Sequence, residues 1–495
     1  MQIDLIVRKE NEAFLSISCE KHIAKELTEY FSFFVPGYQF TPQFKQRIWN
    51  GKIYLFDFKK QRIYYGLLNY LKSFCEKNGY TYLLENDLEP ENIISRDNFI
   101  EFIKKLKLSL EPRDYQIDAA LNAINQKRAL ILSPTASGKS LILYLIFCYM
   151  LQAKKKKGLL IVPTISLVEQ MFSDFKNYAG NNSTLESLIF KIYGGVDKGQ
   201  INNKHKLVIS TWQSIFNLPE EWFHQFDFVF GDEAHQFKAK SLTSILSNAV
   251  NSDYRIGCTG TLDGTKTHKL VLEGLFGPVY QSVTTKELID KKHLSNFKIK
   301  CLILKYPEEV CRRLRDGNYQ SEIDYIVKCD ARNQFIKKLV LSLNGNSLVL
   351  FQFVDKHGKE LHKIIQEEAK DRKVFFVSGS TDVDIRENIR HITEKENNAI
   401  IVASFGTFST GINIRNLHNV IFASPSKSRI RNLQSIGRGL RLGENKEVAT
   451  LYDIADDFRI GKHTNFTLNH FSERITMYNE EKFDYKFYNI EMKNV

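Results

Sequence analysis

Three residues in the first third of the chain could hold the phosphates of a nucleotide. Gly138, Lys139 and Ser140 lie in the stretch RALILSPTASGKSLIL and match the end of the pattern G-x-x-x-x-G-K-[ST], with Ser133 in place of the first glycine. In this pattern, backbone N–H groups at a helix start face the phosphates, the lysine reaches the outer phosphates and the hydroxyl ligates Mg²⁺. The stretch therefore predicts a phosphate-binding loop, with Lys139 on the phosphates and Ser140 on the metal.

Two adjacent carboxylates follow an apolar run farther along the chain. The stretch FVFGDEAH ends in Asp232, Glu233, Ala234 and His235, and its first residues are typical of a buried strand. An open α/β sheet places its ligands at the carboxyl ends of its strands. Asp232 is then suited to hold Mg²⁺ through water, and Glu233 to polarise the attacking water in phosphoryl transfer. A lone Asp-Glu pair more often caps a helix, but downstream of the phosphate loop we interpret this one as catalytic.

Two arginines near residue 440 are expected on one helix face. Arg438 and Arg441 lie three apart in QSIGRGLR, which begins at Gln434. Directed at the outermost phosphate across a cleft, such a pair would compensate the charge that develops there, as an arginine finger does. Two solvated arginines on a basic helix are the simpler interpretation, but it leaves the second half of the chain without a role.

Rigid elements must position these side chains, and the sequence supplies them in two series. Short apolar β-type runs alternate with longer amphipathic stretches, which predicts parallel sheets covered by helices. The first series of predicted strands is 129–132, 158–162, 207–210, 226–230 and 254–258, and the second is 347–353, 374–377, 399–403, 420–423 and 448–452. Residues 284–297, polar and charged, are the predicted joint between two similar lobes.

The predicted fold class is therefore α/β, with two tandem parallel-sheet lobes at 106–283 and 284–460. Residues 1–105 are rich in aromatics and shorter in period, which predicts a small α+β accessory domain. Residues 461–495 mix aromatics and charges at helix-like spacing, which predicts a helical extension packed on the second lobe.

Length and composition set further bounds. A chain of 495 residues exceeds what one hydrophobic core usually serves. The longest apolar run, 141–151, is about half of the roughly 20 residues that a membrane span needs, and the first residues lack the apolar core of a secretory signal, so we expect a cytoplasmic protein. The seven scattered cysteines form no C-x-x-C pair, which favours reduced thiols and no structural metal. A formal charge of +12 and a pI near 9.1 favour a polyanionic partner such as nucleic acid.

In this order, the motifs resemble those of the superfamily 2 helicases of the DEAH-box type, over residues 112–441. The resemblance implies two RecA-like lobes that bind ATP and Mg²⁺ between them and couple hydrolysis to movement along nucleic acid. It adds His235 and Gln434 to the catalytic candidates, while Thr259-Gly260-Thr261 departs from the Ser-Ala-Thr form of the best-known members.

The same resemblance implies two sets of binding residues. The implied nucleotide contacts, including the adenine-reading segment RDYQ, are Arg113, Gln116, Pro134, Thr135, Ala136, Ser137, Gly138 and Gly411. The implied contacts to a sugar-phosphate track are Pro163, Thr164, Ser210, Thr211, Gln213, Ser404 and Thr410.

The amino-terminal region carries a turn signal among cations and aromatics. Asn50-Gly51 in RIWNGKIY predicts a two-residue hairpin. In that hairpin Trp49 would face Lys52 and Arg47 would face Tyr54, a surface suited to phosphates and stacked bases. The alternative is that Trp49 and Tyr54 pack against a helix while the two cations are solvated, and both interpretations stay open.

A basic, aromatic front domain ahead of a compact motor resembles the recombination helicases of T-even bacteriophages. That resemblance implies action on branched or single-stranded DNA and RNA–DNA hybrids (Holliday junctions, stalled forks and R-loops) in the cytoplasm of a bacterial host. It also implies partners among recombination or single-strand-binding proteins.

Other functions remain to be compared with this one. An RNA helicase, or a duplex translocase that does not separate strands, would carry the same motifs. A binding clamp switched by nucleotide without turnover is less consistent with the complete set of catalytic residues, namely Lys139, Asp232, Glu233, Gln434, Arg438 and Arg441.

Overall fold

The computed structural model describes residues 3–85, 93–180, 184–196, 198–237, 240–411, 414, 416–440, 446, 448–461 and 463–493. The chain divides into two compact units. The first is Met1–Ser133 with Gly138–Ser282, and the second is Pro134–Ser137 with Val283–Val495. Among the described residues, no helix has both the length and the apolar character that a membrane crossing requires.

The amino-terminal region of the first unit is a small α+β domain. Its elements are β1 (Leu5–Lys9), β2 (Phe14–Cys19), α1 (Lys21–Tyr30), β3 (Ser32–Phe34), α2 (Pro42–Lys45), β4 (Lys52–Tyr54), β5 (Phe56–Asp57), β6 (Arg62–Tyr64), α3 (Leu68–Asn78), β7 (Tyr82–Leu84) and α4 (Arg96–Leu106). Five strands form a mixed sheet in the order β5-β6-β2-β1-β7, and β3 pairs with β4. Alternate residues of β1 and β2, such as Leu5, Leu15 and Ile17, are buried, so one face of the sheet packs on the core.

The rest of the first unit is a parallel α/β lobe. Its elements are α5 (Asp114–Gln126), β8 (Arg128–Leu132), α6 (Lys139–Gln152), β9 (Gly158–Val162), α7 (Ile165–Tyr178), α8 (Leu185–Leu188), β10 (Ile189–Ile192), β11 (Leu207–Thr211), α9 (Trp212–Ile215), α10 (Glu220–Phe223), β12 (Phe228–Gly231), α11 (Lys240–Asn248), β13 (Tyr254–Thr259), α12 (Lys266–Phe276) and β14 (Val279–Gln281). The sheet order is β10-β11-β9-β12-β13-β8-β14. Its central strands are covered on both faces, which explains their continuous apolar sequences.

The small domain is fixed to this lobe by polar contacts and by one close backbone approach. The Tyr70 hydroxyl donates to Glu273 of α12 at 2.7 Å, and Arg128 of β8 donates to the Glu12 carboxylate at 2.7 Å. A Cβ at Gly66 would lie only 1.9 Å from the carbonyl oxygen of Glu273, so a glycine is required there. The two parts of the first unit therefore form one packed body.

The second unit repeats the parallel architecture. Its elements are α13 (Thr285–Asp290), β15 (Asn296–Lys305), α14 (Glu308–Arg315), α15 (Tyr319–Lys328), α16 (Asp330–Ser342), β16 (Ser347–Phe351), α17 (Lys359–Glu368), β17 (Val374–Val377), α18 (Val383–Lys395), β18 (Ile400–Ser404), α19 (Phe405–Gly411), β19 (Asn419–Phe422), α20 (Arg429–Gly439), β20 (Val448–Asp457), α21 (Phe466–Glu480) and β21 (Tyr485–Glu491). The sheet order is β17-β18-β16-β19-β20-β15-β21, with every pair parallel. The predicted fold class, two parallel-sheet lobes with a small domain in front, is confirmed.

The sequence patterns do not predict four of the strands of the two parallel sheets. β10 and β14 are short edge strands. β15 begins at Asn296, within the stretch predicted as a joint, and continues beyond that stretch with lysines that alternate with buried residues. The predicted carboxyl-terminal helix is α21, but the chain continues into β21, which adds an edge strand to the second sheet.

The predicted hairpin at Asn50-Gly51 is wrong. β4 pairs with β3, with Phe34 opposite Lys52, and residues 46–49 form turns and bends in place of a partner strand. Gly51 has a φ of 81°, and a Cβ there would lie 2.2 Å from the ring of Tyr38. Packing against Tyr38 and pairing with β3 therefore override the local turn preference.

Candidate nucleotide-binding and nucleic-acid-binding sites

The predicted phosphate-binding loop joins β8 to α6. Gly138 has a φ of 82°, and a Cβ there would lie 2.3 Å from the side-chain nitrogen of Gln116. α6 begins at Lys139, and the first N–H groups of any helix lack partners within that helix. The loop therefore leads into a helix start of the kind that binds phosphate.

Ser133 occupies the first position of the pattern without strain. Its backbone is outside the positive-φ region, its side chain is fully buried, and its N–H donates to the Thr259 carbonyl at 2.9 Å. Within the loop, the Ser137 hydroxyl donates to the Pro134 carbonyl at 2.6 Å, and Ala136 has a φ of 67°. The serine therefore preserves the loop while tying it to the end of β13.

The candidate adenine-reading residues lie next to this loop. Gln116 is buried at the start of α5, where its side-chain oxygen accepts from the Arg113 N–H at 2.9 Å. The Arg113 guanidinium donates to the Tyr115 hydroxyl at 3.0 Å. Since Gln116 also contacts Gly138, the structure brings together the candidate base-reading and phosphate-binding residues of the first unit.

The acidic pair follows β12, as predicted. Asp232 is buried, and burial together with the neighbouring Glu233 raises its pKa to about 6, while Lys139 opposes this shift. Glu233 has a φ of 49°, a conformation that costs energy for a residue other than glycine. Its carboxylate lies 3.3 Å from Nδ1 of His235. The pair thus concentrates negative charge beside the lysine of the phosphate loop.

The arrangement fits a divalent cation. Oδ1 of Asp232 is buried and has no hydrogen-bond partner among the described residues. A cation, or water bound to it, would satisfy this oxygen. The second predicted ligand, the Ser140 hydroxyl, shares a hydrogen bond of 2.8 Å with the Tyr178 hydroxyl. A hard cation such as Mg²⁺ prefers oxygen ligands of these two types and retains several waters.

We expect Asp232→Asn to stabilise the metal-free protein. The pKa of Asp232 is raised from 3.8 to about 6, so the carboxylate opposes folding above pH 6, and the cost is relieved as the pH falls from 6 toward 4. An uncharged amide of the same shape therefore raises the free energy of unfolding at about pH 8 by about 2 to 3 kcal/mol. Urea unfolding of both proteins in a chelator checks this, and the difference should shrink at about pH 5. Equal stabilities at pH 8 would contradict the buried-carboxylate interpretation.

His235 connects the acidic pair to the Thr259-Gly260-Thr261 motif. Its Nδ1 lies 3.1 Å from the Thr259 hydroxyl, in a buried position. Its carbonyl oxygen accepts a hydrogen bond of 2.8 Å from Nε2 of His268, and the other ring nitrogen of His268 lies 2.8 Å from Asp263. The sequence offered no signal for this role of His268, because Asp263, His268 and His235 form no recognisable spacing.

On the second unit, two of the candidate catalytic residues lie on α20. Gln434 and Arg438 are four residues apart and therefore share one helix face, and the Arg438 guanidinium lies 5.9 Å from the ring centre of Phe408 in α19. Arg441 lies outside the described residues. Gly411 is the last residue of α19.

Buried ion pairs hold the segment that precedes α20. Arg474 of α21 donates to the Asp453 carboxylate of β20 at 2.8 and 2.9 Å and to the Ser426 carbonyl at 2.7 Å. Arg332 of α16 does the same with Asp456, at 2.8 and 3.0 Å, and with the Ala423 carbonyl, at 2.8 Å. All four charged side chains are almost fully buried. They were not predicted, because each partner is distant in sequence.

Four of the candidate nucleic-acid contacts of the first parallel lobe line one groove. A cavity of about 540 Å³ is lined by Pro163, Thr164, Thr211 and Gln213. Gln213 donates to the Pro163 carbonyl at 3.4 Å, and the Thr164 hydroxyl caps the N-terminus of α7. Ser210 is fully buried, and its hydroxyl donates to the Thr211 carbonyl.

In the second unit, the Ser404 hydroxyl lies at the end of β18, 2.7 Å from the Thr407 hydroxyl. Thr410 belongs to α19, and its side chain lies outside the described part of the structure.

The candidate contacts of the small domain lie between residues 32 and 64, a segment of short elements joined by turns. The Trp49 indole donates to the Lys52 carbonyl at 2.7 Å, and the Tyr54 hydroxyl accepts from Asn50 at 2.6 Å. Sequence reasoning missed Phe40 and Ile48, which are 78% and 74% exposed. Between residues 32 and 64, six Lys or Arg residues accompany a single acidic residue, Asp57. The segment therefore exposes apolar groups in a strongly basic setting.

Comparison with known proteins identifies the family to which the chain belongs. Three family models match the chain: DNA helicase UvsW, N-terminal, over residues 4–85; Type III restriction enzyme, res subunit, over 109–264; and Helicase conserved C-terminal domain over 331–443. The chain is 35% identical to the ATP-dependent DNA helicase uvsW of Enterobacteria phage T4, covering 98% of this chain and 99% of that one. It is 26% identical to the DNA 3'-5' translocase XPB2 of Sulfurisphaera tokodaii, covering 77% and 90%.

A solved structure agrees with this likeness. The crystal structure of T4 UvsW matches with a TM-score of 0.53 and 34% identity, covering 99% of this chain and all of that one. The likeness includes the small domain in front as well as both parallel-sheet lobes. The chain therefore belongs to the UvsW family of superfamily 2 helicases.

Proposed function

We propose that this helicase uses ATP and Mg²⁺ to unwind and branch-migrate branched DNA, including Holliday junctions, stalled forks and R-loops, in recombination, repair and replication control. The observation that carries the proposal is the likeness to the T4 DNA helicase along the whole chain, small domain included. The basic character of the protein, with a formal charge of +12, supports a polyanionic substrate. Cytoplasmic action inside a bacterial host and contact with recombination or single-strand-binding proteins belong to the same proposal.

The proposed division of the chain follows from this function. Residues 1–105 form a nucleic-acid-binding accessory domain, 106–283 the ATP-binding lobe, 284–460 the second lobe and 461–495 an extension that supports the second lobe. The basic, apolar segment of the small domain suits a DNA partner, because phosphates attract its cations and unstacked bases pack on exposed rings.

The roles in ATP hydrolysis are assigned by chemistry. The N-terminus of α6 and Lys139 bind the phosphates, and Glu233 orients and polarises the attacking water. Asp232 and Ser140 would hold Mg²⁺, which when bound neutralises charge on the phosphate oxygens. His235 holds the acidic pair against Thr259, so a change at the phosphates is transmitted to the end of β13. Gln434, Arg438 and Arg441 are assigned to the developing charge on the transferred phosphoryl group.

The nucleic-acid track is assigned to residues that can contact phosphates without reading bases. Pro163, Thr164, Thr211 and Gln213 share a groove and offer a helix N-terminus and polar side chains. Ser404 ends β18, and Thr410 lies in α19, the helix that follows that strand. The hydroxyl of Ser210 is buried and supports the end of β11. Direct contact with the nucleic acid is therefore assigned to the neighbouring residues and not to Ser210.

A substrate panel tests the proposed function. ATP consumption and strand displacement are measured side by side with single-stranded, blunt duplex, forked and four-way DNA and with matched RNA. We expect turnover and remodelling to be greatest with forked and four-way DNA. Equal rates on blunt duplex without strand displacement would instead indicate a duplex translocase, and a preference for RNA would indicate an RNA helicase.

A further inference from the structure

A groove on the second unit lies away from the residues assigned to ATP. Its volume is about 730 Å³, and it is lined by the first residues of β15 and β20, by α13 and by the turn from α21 into β21. The assigned residues of this unit follow the carboxyl ends of β18 and β19. Because all strands of this sheet are parallel, their amino ends lie together and their carboxyl ends lie together. The groove is at the amino ends of the strands, and the residues assigned to ATP are at the carboxyl ends.

Lysines and aromatic residues dominate the lining. The lysines are Lys286, Lys298, Lys300, Lys482 and Lys486, and the aromatics are Phe297, Phe483, Tyr485 and Tyr488. Two carboxylates, Asp290 and Asp484, also line the groove, and Asp290 pairs with Lys286 at 3.3 Å. Among the described residues, the other four lysines form no ion pair. We call this surface the lysine–tyrosine groove.

Strand register places the key side chains on one face of the sheet. Lys300 of β15 is directly opposite Lys486 of β21 and Tyr452 of β20. Since side chains alternate along a strand, Lys298 and Tyr488 point to the same side as these three. The Lys300 ammonium lies 5.3 Å from the ring centre of Tyr452, and Tyr488 is 41% exposed. Cations and an exposed ring therefore form a continuous patch.

This pairing is unfavourable for the isolated protein. Like charges directly opposite each other on neighbouring strands repel, and an acidic residue at either position would remove that cost. The exposed ring beside them adds apolar surface that folding leaves in water. An anionic ligand with flat aromatic groups would relieve both costs.

We propose that the lysine–tyrosine groove binds a strand of DNA, with phosphates on Lys298, Lys300 and Lys486 and a base stacked on Tyr488. The chemistry is that of single-strand binding, in which cations follow the backbone and a ring accepts any base. The inference rests on the proposed function, because a branched DNA substrate has several arms. The nucleic-acid track assigned above holds only one of these arms. The lysine–tyrosine groove would hold a second arm at the amino ends of the strands.

The first test uses full-length protein and a fluorescent four-way junction. Lys300→Gln with Lys486→Gln removes two phosphate contacts, and we expect affinity to fall about tenfold, with a shallower salt dependence of log K by about 1.5. Tyr488→Ala should weaken binding at least about fivefold with little change in the salt slope, because a stacked base is uncharged. ATP turnover with a short single strand should remain near that of the parent, because the residues assigned to catalysis are unchanged.

Matched controls remove the same charge and the same ring elsewhere on the unit. Lys363→Gln with Lys370→Gln changes two exposed lysines at and beyond α17, and Tyr319→Ala removes an exposed ring of α15. Junction affinities of the groove variants equal to those of these controls would overturn the groove proposal.

A cross-linking test separates this inference from the proposed function. A photoreactive base in each junction arm should cross-link to the β21 peptide in the parent protein and lose that product in Tyr488→Ala. No cross-link to β21 from any arm, in a protein that still remodels the junction, overturns the groove alone. A parent protein that binds single strands but neither binds nor remodels junctions overturns the branched-DNA function.

Discussion

Replacing Lys139 with alanine, or Glu233 with glutamine, is expected to reduce nucleic-acid-stimulated ATP turnover at least about 100-fold. The first change removes the cation that we assign to the outer phosphates and that opposes the raised pKa of Asp232. The second keeps the shape of the side chain but removes the carboxylate that would polarise water. DNA binding should persist in both variants, because the groove beside Thr164 and Gln213 is built from other residues. Steady-state turnover and binding titrations with the same DNA measure the two effects.

A matched control comes from a surface ion pair of the same lobe. Lys176 and Glu186 are both about half exposed and pair with each other, so Lys176→Ala and Glu186→Gln repeat the two chemical changes outside the site. Exposed pairs contribute between about 0 and 1 kcal/mol, so these variants should retain turnover. Undiminished turnover in both Lys139→Ala and Glu233→Gln would refute the assignment of the ATP site.

Arg474→Met is expected to destabilise the second unit by about 3 to 5 kcal/mol. The change leaves Asp453 buried without its cation and removes the donor to the Ser426 carbonyl, although the Tyr478 hydroxyl still donates to Asp453 at 2.8 Å. Changing the partner as well, in Arg474→Met with Asp453→Leu, should recover most of this loss, because a hydrophobic pair no longer buries a lone charge. Both variants are compared by chemical denaturation.

Two spectroscopic signals localise the effect. All three tryptophans (Trp49, Trp212 and Trp222) belong to the first unit, so tryptophan fluorescence follows the unfolding of that unit, whereas circular dichroism follows both. We expect Arg474→Met to lower the midpoint seen by circular dichroism more than that seen by fluorescence. A single variant as stable as the parent, or a double variant no better than the single one, would show that the buried pair does not stabilise the second unit.

Much of the fold could be predicted from the sequence, because its central strands are buried on both faces. Such strands are largely runs of Val, Ile and Leu, and the predicted run 158–162 coincides with the fully buried strand β9. The ATP-site candidates of the first unit were found for a related reason. Phosphate chemistry demands particular residue types at the ends of these strands, so Lys139, Asp232 and Glu233 carry a local signature.

The remainder depends on contacts between residues that are far apart in sequence. β15 alternates lysines with buried residues, so its sequence resembles a charged linker until β20 and β21 pair with it on either side. Arg474 and Asp453 have no pattern in common, and Ser426 contributes only its backbone. At Asn50-Gly51 a strong local signal was misleading, because pairing with β3 determined the outcome.

The position of β15 in its sheet bears on how the chain folds during synthesis. It is the first strand of the second unit to leave the ribosome, yet both of its neighbours, β20 and β21, are made much later. At typical translation rates, the interval between residues 305 and 491 lasts roughly 10 to 40 s. During that time the first unit can already be complete, whereas β15 remains an unpaired, lysine-bearing strand. The lysines that border the groove in the finished protein would thus also keep the nascent strand soluble and discourage association with other chains.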